Sequence, residues 1–223
     1  GAIALSAHCK LHDDFLAGLP FQLTNAQTRV AKTIADDLQK TVPMLRLVQG
    51  DVGSGKTVVA VMAMLHAVAS GYQAALMAPT EILAEQHYQT IHAWMDALGL
   101  NTVLLTGKMK AAPRREALAA IKDNHAHIII GTHALFQKDV EFAKLALIVI
   151  DEQHRFGVHQ RLALSAKGDA AMRRPHQLIM TATPIPRTLA MTAYADLDCS
   201  SIDELPPGRT PVKTVAVSNQ RRS

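Results

Sequence analysis

The stretch LRLVQGDVGSGKT, residues 45–57, decides the fold prediction for this chain. Its first half, LRLVQ, is a short apolar run of the kind that forms a buried strand. Residues 50–57 fit the pattern Gly-x-x-x-x-Gly-Lys-Ser/Thr, and a helical pattern continues from Lys56 to Ser70. A strand before this motif and a helix after it are the context that a phosphate-binding loop requires. The stretch therefore predicts a nucleoside triphosphate site in an α/β domain.

Such a loop holds the nucleotide mainly through its backbone. Glycines let the chain wrap closely, so that N–H groups converge on phosphate oxygens, and the start of the following helix adds a favourable dipole. Lys56 would reach the β- and γ-phosphates, and the Thr57 hydroxyl would bind Mg²⁺. The pattern alone leaves ATP and GTP open. The predicted nucleotide-binding residues are Gly50, Asp51, Val52, Gly53, Ser54, Gly55, Lys56 and Thr57.

Apolar runs and helical patterns alternate after Pro43. Strands separated by helices predict a mainly parallel sheet with helices on both faces, so the fold class is α/β. A helix capped by Thr24 or Asn25 is expected before the first strand, and the Pro-Pro-Gly break at 206–208 suits a linker. Strands are predicted at 45–49, 73–78, 101–105, 127–130, 145–150 and 176–181, and helices at 56–70, 80–98 and 114–123.

Composition sets the broad class of the protein. A hydrophobic fraction of 48% with 19% charged residues excludes a disordered chain. The formal net charge of +4 permits contact with nucleic acid without showing it. The two cysteines, Cys9 and Cys199, match no metal or redox spacing, which favours a reduced, cytoplasmic protein. No membrane span or signal peptide is predicted.

A second polar site is expected in LALIVIDEQHRFG, residues 145–157, where an apolar run ends in two adjacent carboxylates. Alone, Asp151 and Glu152 would be read as a solvated strand end, because buried charge is costly. Beside a phosphate loop, Asp151 would hold Mg²⁺ and Glu152 would orient and deprotonate the attacking water. A zinc site explains the stretch less well than a magnesium site, because zinc requires spaced sets of His or Cys ligands and Glu152-x-His154 alone is not such a set. The histidines, His87 among them, are scattered, and most are interpreted as surface or core fillers.

With these motifs in place, the chain resembles the superfamily 2 helicases and translocases, specifically the first RecA-like motor lobe of the RecG-type branched-DNA helicases. A RecA-like P-loop NTPase fold is implied. The related transcription-repair coupling factors are the alternative, but their box more typically reads Asp-Glu-Glu-His, so Gln153 and the ELPPGRTP tail favour the RecG type. The matching stretches are LPFQLTNAQTRV, GDVGSGKT, APTEILAEQH, LLTGK, GTHALFQ, IDEQHRFGVHQR, TATPIPRTLAMTAYADLD and ELPPGRTPV.

The resemblance implies roles for further residues. Gln27 would contact adenine, which makes the nucleotide ATP, although its spacing alone favours a solvated helix residue. Thr181 and Thr183, with His154, would couple the ATP site to DNA movement. Each threonine taken singly is explained as well by a helix cap or strand end, and the basic cluster Lys108, Lys110, Arg114 and Arg115 by a solvated helix face. The residues implied to contact the DNA backbone are Pro79, Thr80, Glu81, Thr106, Gly107, Gly131, Thr132 and His133.

The resemblance also implies a bacterial, cytoplasmic motor that couples ATP hydrolysis to remodelling of branched DNA, such as stalled forks and Holliday junctions, in recombination and repair. Its expected partners are branched or duplex DNA, a second RecA-like lobe with an arginine finger, and a wedge domain. Residues 1–42 are predicted as an N-terminal helical segment, 43–205 as the ATP-binding lobe, and 206–223 as a linker and the start of the second lobe.

The isolated chain is expected to bind ATP weakly and to hydrolyse it poorly, because an arginine finger contributes on the order of 10³–10⁵ in rate. Two other classes of function stay open at this point. One is a P-loop phosphotransferase, for which the sequence offers no evident acceptor-binding lid. The other is a lobe that only binds a protein partner.

Overall fold

The computed structural model describes residues 1–6, 10–50, 55–152, 174–182 and 198–202. Within these ranges helices and strands alternate as the sequence predicts. Their bounds are α1 Lys10–Gly18, α2 Asn25–Leu38, β1 Leu45–Gln49, α3 Lys56–Ala69, β2 Gln73–Met77, α4 Glu81–Ala97, β3 Thr102–Leu105, α5 Ala111–Lys122, β4 Ile128–Gly131, a 3₁₀ turn His133–Phe136, β5 Leu145–Asp151, β6 His176–Thr181 and β7 Asp198–Ser201.

The described strands form one seven-stranded sheet in the order β3-β4-β2-β5-β6-β1-β7. Every pair of neighbouring strands runs parallel. In a parallel sheet all the carboxyl ends lie at the same edge, and ligands of open α/β sheets bind outside that edge. The predicted polar motifs follow strand ends, so this topology brings them to a common edge.

The hydrophobic core lies on both faces of the sheet. Alternate residues of one strand point to opposite faces, so Leu76 of β2 packs with helices α1 to α4 on one face, whereas Met77 packs with α5 on the other. Helix α3 is buried along its length, from Val58 to Val68, which explains why its sequence is apolar all round. The predicted α/β class, with helices on both faces of a parallel sheet, is confirmed.

The helix ends follow the expected capping chemistry. Thr24 caps α2 in a capping box: its hydroxyl accepts from the Gln27 N–H, and its own N–H donates to the Gln27 side chain. Gly71 and Gly99, which follow α3 and α4, adopt positive φ angles of 86° and 73°. The predicted start of the third helix is wrong, because α5 begins at Ala111 rather than at Arg114.

His176, the first residue of β6, is a fully buried polar group that joins three parts of the chain. Its Nδ1 accepts from the Met44 N–H at 2.9 Å, and its Nε2–H donates to the Ile3 carbonyl oxygen at 2.7 Å. Burial, the main cause, lowers the pKa of His176 below its usual 6.5. Burial thus favours the neutral imidazole, which satisfies one backbone donor and one backbone acceptor.

Acidification is expected to destabilise the fold through this residue. Because the pKa of His176 is lower in the folded than in the unfolded chain, its contribution is present above pH 6.5 and is lost as the pH falls through 6.5 towards the folded pKa. Each histidine held neutral changes the unfolding free energy by at most about 1.4 kcal/mol per pH unit. Urea unfolding at pH 7, 6 and 5 should show a shallower pH dependence for His176→Gln. The exposed His133→Gln is the control, and equal slopes for wild type and His176→Gln would contradict the assignment.

Candidate active site

The predicted site residues in the described ranges lie along the carboxyl edge of the sheet. The residues implied to bind DNA follow β3, β4 and β2 on one half of this edge. The residues predicted to bind the nucleotide and its Mg²⁺ follow β5 and β1 on the other half, and the predicted coupling residue Thr181 ends β6 between them. In spatial order the groups are Thr106 and Gly107 after β3, Gly131 to His133 at β4, Pro79 to Glu81 after β2, Asp151 and Glu152 at β5, Thr181 at β6 and Gly50 after β1.

Strand β6 ties the phosphate loop to the carboxylate pair. The Gly50 N–H donates to the Thr181 carbonyl oxygen at 3.1 Å, and the Glu152 N–H donates to the Met180 carbonyl oxygen at 2.8 Å. Adjacent residues of one strand thus fix the backbone of both motifs. Their relative position is therefore set by regular sheet hydrogen bonding.

Lys56 lies at the first residue of α3, as the motif predicts. Its ammonium group donates to the carbonyl oxygen of Gly50, the first residue of the phosphate loop. Thr57 follows in the first turn of α3 and is half-buried. The lysine charge is therefore held at Gly50, the residue that follows β1. Asp51, Val52, Gly53 and Ser54 fall outside the described residues.

Gln27 is joined to this loop by its side chain. The Gln27 amide oxygen accepts from the Thr24 N–H at 2.8 Å, and its Nε2 donates to the Gly55 carbonyl oxygen at 3.5 Å. Only 3% of the residue is exposed. The interpretation as a solvated helix residue is therefore wrong. The capping box T-N-A-Q, which is visible in the sequence, was the signal that could have shown it.

Asp151 ends β5 and is 6% exposed. Its Oδ2 lies 2.6 Å from Nε2 of His87, on α4. Among the scattered histidines, His87 therefore has a specific polar partner in the predicted site. No spacing in the sequence relates residues 87 and 151. Only the order of the sheet does, because β2, which leads into α4, is hydrogen-bonded to β5.

The side chains suited to Mg²⁺ are the Thr57 hydroxyl and the Asp151 carboxylate, which offer only oxygen atoms. Oxygen donors are the ligands that this cation prefers, and it usually takes one or two protein groups together with substrate phosphates and water. These residues therefore fit the cation. Within the described ranges, no three His, Cys, Asp or Glu side chains form a metal-binding group.

Two of the threonines implied to contact DNA are helix caps. The Thr80 hydroxyl accepts from the Leu83 N–H at 3.2 Å at the start of α4, and the Thr132 hydroxyl accepts from the Ala134 N–H at 3.3 Å. Thr106 and Thr132 are also buried. Of the residues implied to contact DNA, the exposed ones are Thr80, Gly107 and His133.

The charges on this half of the edge are mixed. Glu81 stands in the first turn of α4, near Gly107, where a carboxylate is stabilised by the helix dipole but repels phosphate. Within the basic cluster, Arg114 donates to both carboxylate oxygens of Asp139, at 3.0 and 2.8 Å. Lys108, Lys110 and Arg115 are exposed. The cluster therefore presents less free positive charge than its sequence suggests.

Several predicted features fall outside the described residues. They are Gln153, His154, Thr183, Cys9 and the linker with the start of a second lobe at 206–223. Strand β7, by contrast, was not predicted: Asp198 and Cys199 are exposed, so DCSS lacks a buried apolar pattern. None of the described helices has the length and apolarity needed to cross a bilayer.

The sequence profile of the DEAD/DEAH box helicase family matches residues 24–192. The ATP-dependent DNA helicase RecG of Haemophilus influenzae is 60% identical over 222 residues, which cover 100% of this chain and 32% of the relative. RecG of Escherichia coli K12 is 60% identical over 219 residues, which cover 98% of this chain and 32% of the relative. The chain thus spans about a third of the length of these relatives. The transcription-repair alternative is not favoured.

Solved structures agree with these sequence matches. A structure of RecG bound to a three-way DNA junction is 38% identical with a TM-score of 0.79, and the match covers 99% of this chain and 30% of that one. The DEAD-box helicase Mss116, bound to ssRNA and UDP-BeF, is 20% identical with a TM-score of 0.67 over 88% of this chain and 43% of its own, and it shows the fold alone. The resemblance to RecG-type helicases is confirmed, and the chain belongs to the DEAD/DEAH box helicase family.

Proposed function

We propose that this chain is the ATP-binding motor lobe of a helicase that couples ATP hydrolysis to remodelling of branched DNA. The observation that carries the proposal is the division of the carboxyl edge. Phosphate-loop and carboxylate residues follow β1 and β5, whereas the residues implied to bind DNA follow β3, β4 and β2. One rigid sheet therefore connects the nucleotide half to the DNA half.

The nucleotide would be held at both of its ends. Gln27, already seated between Thr24 and Gly55, would contact the adenine. Lys56 would leave the Gly50 carbonyl oxygen and donate to the β- and γ-phosphates, exchanging one oxygen partner for several charged ones. Mg²⁺, when bound at Thr57 and Asp151, would neutralise phosphate charge.

Glu152 would supply the base. It follows the last residue of β5, and its N–H donates to the Met180 carbonyl oxygen. The backbone from which the half-buried side chain extends is therefore held in place. It would accept a hydrogen bond from the attacking water and take its proton as the water oxygen bonds to the γ-phosphorus. The bond between the γ-phosphorus and the bridging oxygen would break in the same step, so that ADP leaves with that oxygen. The neighbouring Asp151 would not take this role, because its Oδ2 already accepts from His87.

DNA would be held through its backbone at the exposed end of α4 and at the turns after β3 and β4. N–H groups at a helix start and small side chains suit phosphate contacts, which carry no sequence information. Thr181, whose carbonyl oxygen binds the Gly50 N–H, would link the two halves together with Thr183 and His154. The intact protein would add a second lobe and a wedge domain, reached through residues 206–223, to the lobe 43–205 and its helical segment 1–42.

The test is ATP hydrolysis by the full-length protein with forked DNA, with linear duplex and without DNA. Forked DNA should give the largest stimulation. Lys56→Ala should lower the stimulated rate at least about 100-fold, because it removes a charged donor aimed at the transferred phosphate. Lys122→Ala, which breaks only an exposed ion pair with Glu141, is the control and should be near normal.

Other outcomes would overturn the proposal. Near-normal hydrolysis by Lys56→Ala would show that Lys56 does not act on the transferred phosphate. Transfer of phosphate to a small acceptor would indicate a phosphotransferase instead. Binding of forked DNA that did not weaken with added salt would contradict backbone recognition, because phosphate contacts release counterions.

A further inference from the structure

His87 is a buried polar residue to which neither the motifs nor the proposed chemistry assign a role. Its side chain is 16% exposed, and that of its partner Asp151 is 8% exposed. An ionised carboxylate can only accept hydrogen bonds, so the Nε2–H of His87 is the donor in the 2.6 Å contact with Oδ2. A charge-assisted bond of this length in a desolvated place is strong.

His87 lies on helix α4, which is held in place on both sides of the histidine. Thr80 caps α4 at its start, and Ile91 and Met95 are fully buried beneath it. The ring of His87 stands between these two anchors. The position of His87 is therefore set by helix packing. Rotation of the Asp151 carboxylate would break the hydrogen bond, because the helix holds the imidazole in place.

The hydrogen bond from His87 makes the two carboxylate oxygens of Asp151 unequal, because only Oδ2 accepts it. Oδ2 is occupied by His87, so Oδ1 is the atom left to bind a cation. A carboxylate without this partner could rotate about χ2 and present either oxygen. Hydrogen-bonding partners of metal-ligating groups restrict such freedom, and their loss typically weakens metal affinity by 10–100-fold.

We propose that His87 is a positioning residue for Asp151, and that it sets the Mg²⁺ concentration at which the lobe binds MgATP. This inference rests on the proposed function, since it needs Asp151 at the cation. His87 touches neither the substrate nor the reacting atoms. It acts by holding one carboxylate oxygen so that the other keeps a single orientation.

The test measures Mg²⁺-dependent binding of a fluorescent ATP analogue to the full-length protein, without turnover. In His87→Leu, which keeps the apolar bulk but lacks a donor, the half-saturating Mg²⁺ concentration should rise about 10–100-fold. His87→Gln should return it to within a few-fold of wild type, because the glutamine amide can donate from a similar reach. A purely structural role for the ring would not be rescued by this open-chain amide.

Two further variants make the result decisive. His92→Leu places the same substitution on the same helix, at a half-buried histidine that packs on Tyr88, and should leave the Mg²⁺ curve unchanged. Asp151→Asn should shift the curve strongly. If Asp151→Asn shifts it and His87→Leu does not, the inference fails alone. If neither shifts it, Asp151 is not at the cation and the proposed site fails as well.

Discussion

Replacing Glu152 with glutamine is expected to slow ATP hydrolysis by the full-length protein by about 10²–10⁴-fold while ATP stays bound. The amide keeps the length of the side chain but cannot take a proton from the attacking water. Its backbone bond to the Met180 carbonyl oxygen does not involve the side chain, so the strand end is retained. A single-turnover experiment with radiolabelled ATP and forked DNA separates hydrolysis from retention of the nucleotide.

Glu141→Gln is the matched control for this variant. Glu141 is exposed and meets Lys122 in a surface ion pair, so its loss should change neither binding nor rate. Rapid hydrolysis by Glu152→Gln would assign the base to another group. Failure of the variant to retain ATP would indicate that the carboxylate acts in binding rather than in proton transfer.

The sheet was predictable because its strands are buried on both faces. Such strands appear in the sequence as continuous apolar runs, and LALIVI, at residues 145–150, is buried throughout in the structure. Strand β7 escaped prediction because an edge strand that is partly exposed needs no apolar run. The start of α5 was predicted at Arg114, after Pro113, but the helix begins at Ala111 because proline is tolerated in the first turn, where its missing N–H has no helical partner.

The site was predictable only where chemistry is concentrated in neighbouring residues. The phosphate loop and the Asp151-Glu152 pair are contiguous motifs, so their residue types and spacing carry the prediction. The bond between His87 and Asp151 depends on sheet order, and the contact between Gln27 and Gly55 depends on how α2 packs beside α3. Pairings of this kind require the fold, because the two partners are far apart in the sequence.

Gly55 shows how closely the proposed adenine side of the site is joined to the phosphate loop. Its backbone has φ = +84°, a conformation that favours glycine, and it precedes α3 as the N-terminal cap. A methyl group at this position would lie 1.8 Å from Nε2 of Gln27. The glycine is therefore required twice, once by the backbone and once by the glutamine that packs against it.

The variant Gly55→Ala is accordingly expected to bind ATP more weakly and to lose about 1–3 kcal/mol of unfolding free energy, because the methyl group would displace Gln27 and break its capping box with Thr24. Gly71→Ala separates the two causes, since Gly71 has a similar φ of +86° with no atom near the added carbon. Urea unfolding should show a loss in both variants, whereas titration with a fluorescent ATP analogue should show weaker binding only for Gly55→Ala. Equal ATP affinity in the two variants would mean that Gln27 does not depend on Gly55, and that the glycine serves the backbone alone.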